Sequence, residues 1–277
     1  MTDRAGAGTA GVAGARINAV SIVATAFLFA YAGALVALFA ADILYIDIGV
    51  FGEVLRSPAI RAALRLSVIT SVATLFLVVL FAVPAGYALS RYRFRGKTLV
   101  DTLVDLPIVL PTIIIGISLL VFFRTPIRRL IEGTGLRFVY AVPGIVLCQF
   151  LASASYGIRA AKAAFDSVDV RLEELALTLG CTRARAFFAV TLPLARNGIT
   201  AGAIMAWAHA VGIFGPLMVF AGAVRMKTEV LPTTIYLELS IGRIEVAIAV
   251  AMLMLLLAAA ALVLLRLLAG SRRRWGA

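Results

Sequence analysis

His209 is the chain's only histidine, and it lies inside an apolar stretch. An ionisable group at membrane depth is expensive and tends to be functional; a neutral imidazole hydrogen-bonded inside a helix bundle is the other reading. Asp101 and Asp105 are four residues apart, so they share a helical face, and they follow a basic cluster of Arg91, Arg93, Arg95 and Lys97. That arrangement suits internal ion pairing. Cys148 and Cys181 stand alone, with no CxxC and no histidine cluster, and suggest neither a metal site nor a disulfide framework. Catalytic carboxylate pairs, a Ser/His/Asp set and the Gly-rich phosphate loop of an ATPase are also missing. The residues therefore point to no catalytic site, no metal and no cofactor. What remains are residues that shape backbones: prolines and glycines in apolar spans, and one ordered polar segment.

That segment covers 166–193. Leu172, Leu175 and Leu179 recur at i, i+3 and i+7, an apolar stripe on a short helix. Asp169 is placed to cap it, and Glu173 and Glu174 suit the positive end of its dipole. Ala176 and Gly180, four apart, offer a small face that admits another backbone. Gly180 also suits the left-handed residue that ends a helix. Thr182 is placed to cap a second short helix with Phe187, Phe188 and Val190 on its apolar side. Leu192-Pro193 is expected to stop that helix and turn the chain into the next span. The expected product is a helix-turn-helix at a membrane surface with its charges outward. It either rests on lipid or docks a partner.

The chain around these residues cannot be an ordinary soluble domain. Its 277 residues are 62% hydrophobic and 14% charged, against about 25% charged in a soluble domain. Mean hydropathy is +1.04. So little polar surface cannot cover so much apolar surface in water, and the expected class is an all-α polytopic membrane protein. The formal net charge of +12 is read as Lys and Arg gathered in short loops facing anionic lipid, not as a nucleic-acid surface.

The expected organisation is a tail (1–16), a first transmembrane helix with an outer loop (17–57), a transmembrane domain (58–270) that contains the elbow, and a basic tail (271–277). About six spans are expected, at 17–41, 62–89, 99–123, 142–164, 193–222 and 244–268. Pro84 and Gly86 should bend the second. Pro107 and Pro111, on one face, interrupt the third together with Gly116; Gly212, Gly215 and Pro216 interrupt the fifth. The loop from 124 to 140 holds Arg124, Arg128, Arg129 and Arg137 and is expected to carry a short interfacial helix. Residues 224–240 are expected to be partly re-entrant or interfacial. With an even number of spans both termini share a side, and the distribution of Lys and Arg places them in the cytoplasm. Broken helices are tolerated in lipid where they face protein or a water-filled cavity, so the third and fifth spans are expected to line a pathway.

The spaced pattern Glu174-x-Ala176, Gly180, Val190-x-Leu192-Pro193 resembles the EAA signature of ABC importer permeases, with Leu175 and Val190 as mild departures. The likeness extends over about residues 60–268. Phe94-Arg95-Gly96-Lys97, Leu106-Pro107 with Pro111, Phe165-x-Ser167-Val168-Asp169, Phe220-Ala221-Gly222 and Thr228 with Leu231-Pro232 and Tyr236 are similar to the molybdate, tungstate and sulfate branch. That branch usually reads Gly-Glu-Phe-Gly where this chain has Gly212-Ile213-Phe214-Gly215.

The resemblance implies a type I ABC importer fold with a cytoplasmic coupling-helix elbow. It implies a permease subunit in the cell inner membrane that is not itself an enzyme, hydrolysis belonging to separate ABC ATPase subunits. Those subunits would dock through Glu174, Ala176, Gly180, Arg183, Leu192 and Pro193. The pathway would be lined by Pro107, Pro111, Gly116, His209, Gly212, Phe214 and Gly215. An external substrate-binding protein and a second copy of the permease, as a homodimer, are the further partners, with membrane lipid around them. The implied substrate is a small oxyanion (molybdate, tungstate or sulfate), carried by alternating access. The alternatives are an importer of another small solute (a polyamine, ferric iron or thiamine), favoured by the missing glutamate, and a secondary transporter.

Overall fold

The structure is a computed structural model and describes residues 19–45, 48–126, 133, 135 and 137–270. The two tails, Arg128, Arg129 and most of the interfacial helix expected beside them lie outside those residues. Residues 1–46 form one unit. Among its described residues is one helix, α1 (Ala19–Tyr45), 27 residues long and uncharged apart from Asp42, about 40 Å at the helical rise and long enough to cross a membrane.

The second unit, 47–277, is helical, with no strand among its described residues. The order is α2 (Ile48–Arg56), α3 (Pro58–Arg91), α4 (Lys97–Val109), α5 (Ile113–Phe122), α6 (Val142–Asp166), α7 (Val170–Thr178), α8 (Arg183–Ala186), α9 (Leu192–Gly212), α10 (Leu231–Ser240) and α11 (Ile244–Gly270). Among the described residues, five helices are long and apolar enough to cross a membrane, and the spans number six if α4 and α5 form one broken span.

α3, α6 and α9 make the central bundle. In lipid, helices gain nothing by hiding apolar side chains from one another and associate through close packing. Small residues supply it here. A Cβ on Gly86 would stand 2.7 Å from the Ala161 Cβ, and one on Gly202 would stand 2.2 Å from the Ala160 Cβ. Polar groups between its helices find partners across the packing, as a medium without water favours. Thr74 donates to the Gln149 side chain at 3.0 Å, and the Ser67 hydroxyl accepts from the Leu231 amide at 2.8 Å. Two apolar clusters fill the remainder: Ile145, Cys148, Leu217 and Phe220 in one, Val78, Ala82, Phe165 and Ala206 in the other. Both cysteines are free.

α3 runs through Pro84 as one helix of 34 residues. The third span is broken, as its prolines led one to expect: α4 and α5 meet at 116° across residues 110–112. One expectation about helix breaks needs correction: Pro193 does not stop the elbow's second helix. It stands where a π-helical turn (Phe187–Thr191) passes into α9, and the chain runs from α8 into α9 without reversal.

Candidate functional site

Two sites come into view: a cavity where two helices break, and the elbow. α9 ends at Gly212, and the backbone turns extended at Ile213 (ψ 134°) before a second π-helical turn (Leu217–Ala221). This break faces the one between α4 and α5. Their backbones touch, since a Cβ on Gly116 would stand 2.7 Å from the Pro216 Cα, and one on Gly215 would stand 3.2 Å from the Ile113 Cβ. Between them lies an open cavity of about 590 Å³. Pro111, His209, Gly212, Phe214 and Gly215 line it, together with Thr112, Ile113, Ala208 and Ile213. Pro107 lies a turn away inside α4, and Gly116 is buried in the contact between the two breaks, so neither is part of the wall. Non-helical backbone in a membrane protein belongs beside protein or an aqueous cavity, and here it has both.

His209 is the only ionisable side chain in that wall. Its Nδ1 is 3.3 Å from the Ser153 Oγ of α6, and its ring lies 4.6 Å from the Tyr156 ring. Neither partner was marked by the sequence, because nothing in the spacing of Ser153 and Tyr156 joins them to residue 209. Trp207, one residue earlier, is buried packing. Ile213, which stands where the resembling branch has glutamate, is buried at 4% exposure and joins the cluster of Leu217 and Phe220.

In the elbow the caps form as the residue types require. The Asp169 carboxylate accepts from the Arg171 amide and the Thr182 hydroxyl from the Arg185 amide. Gly180 at φ +87° ends α7, with its own amide donating to the Leu177 carbonyl and the Cys181 amide to the Ala176 carbonyl. The faces differ from expectation. Leu172, Leu175 and Leu179 are 41%, 58% and 84% exposed, so the apolar stripe points away from the protein. Ala176 is buried, whereas a Cβ on Gly180 would meet nothing within 4 Å. The two therefore do not form one shared contact face. Glu174, Arg183 and Pro193 are exposed and Leu192 is half-buried.

Glu173, not Glu174, fixes the elbow to the bundle. Tyr87 Oη donates to its Oε2 and Arg91 Nε to its Oε1, each at 3.0 Å. Arg91 also donates to the Val168 carbonyl at 2.8 Å. Burial by itself would raise the Glu173 carboxyl. The neighbouring Thr191 hydroxyl and the bonds from Arg91 and Tyr87 outweigh it and hold the carboxyl below its ordinary value. Tyr87 also packs edge-on against Phe165 and Phe187. The sequence offered two adjacent glutamates, and only the helix's orientation decides between them. Asp101 and Asp105 are ion-paired within the chain, but to Arg159 of α6, not to the 91–97 cluster. Arg159 grips Asp105 with two nitrogens at 2.5 Å and Asp101 with a third at 2.6 Å.

At the other end of the bundle is a charged nook of about 50 Å³ lined by Glu53, Arg225, Glu229, Glu238 and Arg243. Glu238 is clamped by Arg225 and Arg243. Glu229 is as deeply buried, at 3% exposure. Burial, helped by Glu238, raises its carboxyl above the ordinary value despite Thr234 and Arg225.

Residues 82–274 match the family described as binding-protein-dependent transport system inner membrane component. The molybdate/tungstate transport system permease protein WtpB of Thermococcus kodakarensis is 39% identical over 204 residues, 71% of this chain and 78% of that protein. Its counterpart in Pyrococcus abyssi is 38% identical over 64% of this chain and 66% of its own length. The molybdenum transport system permease protein ModB of Escherichia coli K12 is 37% identical over 61% and 77%. Among solved structures, a bacterial alginate ABC transporter in complex with an alginate-bound periplasmic protein superposes with a TM-score of 0.69 at 19% identity, covering 89% of this chain and 91% of that one. The inward-facing MetNI methionine ABC transporter gives 0.57 at 19% identity, covering 76% and 93%. The fold is that of a type I ABC importer permease, and the chain belongs to the binding-protein-dependent transport system inner membrane component family.

Proposed function

We propose that the chain is the membrane permease subunit of an ATP-driven importer for a tetrahedral oxyanion of the molybdate and tungstate type. The relatives at 37–39% identity are named for molybdate, tungstate or molybdenum transport. The observation that carries the mechanism is the cavity between the two helix breaks, because its wall belongs to the same continuous helix as the elbow. α8, the π-helical turn and α9 run together from Arg183 to Gly212. A displacement of the elbow is thereby a displacement of His209 and Gly212. Paired with a second permease copy, the cavity becomes half of a central pathway. Both termini and the elbow lie in the cytoplasm, and an external binding protein delivers the oxyanion to the opposite face.

Separate ABC ATPase subunits supply the hydrolysis and dock on the elbow. Leu172, Leu175 and Leu179 are the apolar contact, rimmed by Glu174 and Arg183. An outward apolar stripe on a polar surface element marks a protein interface. The Glu173 clamp makes the elbow rigid enough to transmit a push. Leu175→Glu tests the docking. Its side chain already faces solvent, so the permease should still fold and insert. Co-purification of the ATPase should fall about tenfold or more, as for a central apolar contact. Undiminished co-purification would exclude the elbow as the docking element.

A further inference from the structure

The 590 Å³ cavity holds no fixed charge that could attract an oxyanion, and the glutamate its resembling branch carries is here a buried isoleucine. What it does hold is a histidine whose protonation pattern can be read from its partner. Ser153 is fully buried, and its hydroxyl has no hydrogen-bond partner other than His209 Nδ1 among the described residues. Elsewhere in this chain helical hydroxyls donate to the carbonyl one turn back, as Thr70, Thr102 and Thr200 do. Ser153 does not. A buried hydroxyl hydrogen without an acceptor is costly, so the Ser153 hydrogen goes to Nδ1. Nδ1 is then the acceptor, the imidazole is neutral, and the remaining proton is on Nε2.

We infer that Ser153 locks His209 as the Nε2–H tautomer and that this N–H is the hydrogen-bond donor that the cavity presents to an oxygen of the passing oxyanion. The inference rests on the cavity being the pathway. A neutral donor is the fitting chemistry for a transient contact. Molybdate-type anions offer only acceptor oxygens, which an N–H satisfies and a carboxylate repels. A fixed cation at the same place would hold a dianion far more strongly and slow its release. The Tyr156 ring, stacked 4.6 Å away, limits the imidazole's swing. His209 is thus the contact residue and Ser153 the positioning residue.

The test uses the full transporter in proteoliposomes, with its ATPase, ATP inside, binding protein outside and molybdate as the probe. The readout is molybdate taken up per ATP hydrolysed. His209→Gln places an amide N–H near the Nε2 position and should retain several times the uptake of variants that place no donor there. His209→Asn places its amide near the Nδ1 position, where it meets Ser153 and not the cavity. It should fall about fivefold to tenfold, the factor of one lost hydrogen bond, and His209→Leu should fall as far. Ser153→Ala should fall in the same sense and Ser153→Thr should recover. Equal behaviour of Gln, Asn and Leu at residue 209, whether all parental or all impaired, would overturn the donor role, and parental uptake by Ser153→Ala would overturn the lock. Ala208→Trp separates this from the underlying reading: it fills the cavity without touching the Ser153 contact and should block uptake. Uptake through Ala208→Trp would remove the pathway itself.

Discussion

Glu173 and Glu229 are both nearly buried carboxylates, and their surroundings send them in opposite directions. Glu173 gains an arginine and a tyrosine hydroxyl, so its folded-state carboxyl lies below the unfolded one. Its contribution to stability is complete at neutral pH and is lost as pH falls through and below the ordinary carboxylate value of about 4. Acid should therefore loosen the elbow before the bundle. Hydrogen exchange below that pH should rise in Val170–Thr178 while the α6 amides stay protected. Glu173→Ala strands the nearly buried Arg91 guanidinium and should cost about 3 kcal/mol, read as a lower Tm in detergent. Glu229 has the reverse sign. Its folded carboxyl is raised, so stability is greatest below the ordinary carboxylate range and falls as pH rises out of it. Glu229→Gln should raise Tm at neutral pH and leave it unchanged in acid. These roles were only half legible in the chain. The sequence showed that Glu173 suits a helix start, but not that α7 turns it toward Arg91, because orientation about a helix axis is set by packing and not by spacing. His209 stood out as the lone histidine, whereas Ser153, one of many serines, became meaningful only once α6 and α9 were side by side.

At the scale of elements, the breaks decide the architecture. The dipeptide Leu106-Pro107 and Pro111 announced an interruption, and Gly212 with Gly215 announced another. That the two interruptions face each other across a cavity, with α4 and α5 turned by 116°, depends on contacts between residues about a hundred positions apart. Proline was over-read at Pro193, which reads in the sequence as a helix stop and stands in the structure inside one continuous helix from Arg183 to Gly212. The leucine stripe of the elbow was legible as a stripe. Its outward direction was not, since periodicity says which residues share a face and is silent about what the face meets. The close approach of α9 to α6 gives a direct test. Gly202→Leu must displace Ala160 and should cost about 1–3 kcal/mol or more as overpacking. Gly212→Ala, whose nearest neighbour is the Met254 methyl at 3.9 Å, should leave Tm nearly unchanged.

For the molecule as a whole, composition alone assigned the environment, because 14% charged residues cannot clothe this bundle in water. α3 leaves a band of large apolar side chains exposed, among them Val68, Ile69, Val72, Phe76 and Leu80, a surface that suits lipid and not water. The two ends of the bundle then differ in kind. One carries the rigid elbow with its apolar stripe, the other the Glu229 and Glu238 nook, and α9 links the elbow to the cavity between them. That division suits the coupling proposed above, in which force enters at one end and access changes in the middle. The central claim is that this chain moves an oxyanion only when a separate ATPase works on it. The most direct measurement is molybdate uptake into proteoliposomes holding the permease with its ATPase, the binding protein outside, with internal ATP and the ion gradients varied independently. Uptake should require internal ATP and persist when ionophores collapse every gradient. Uptake that continues without ATP, or stops when the gradients are collapsed while ATP is maintained, would contradict the account.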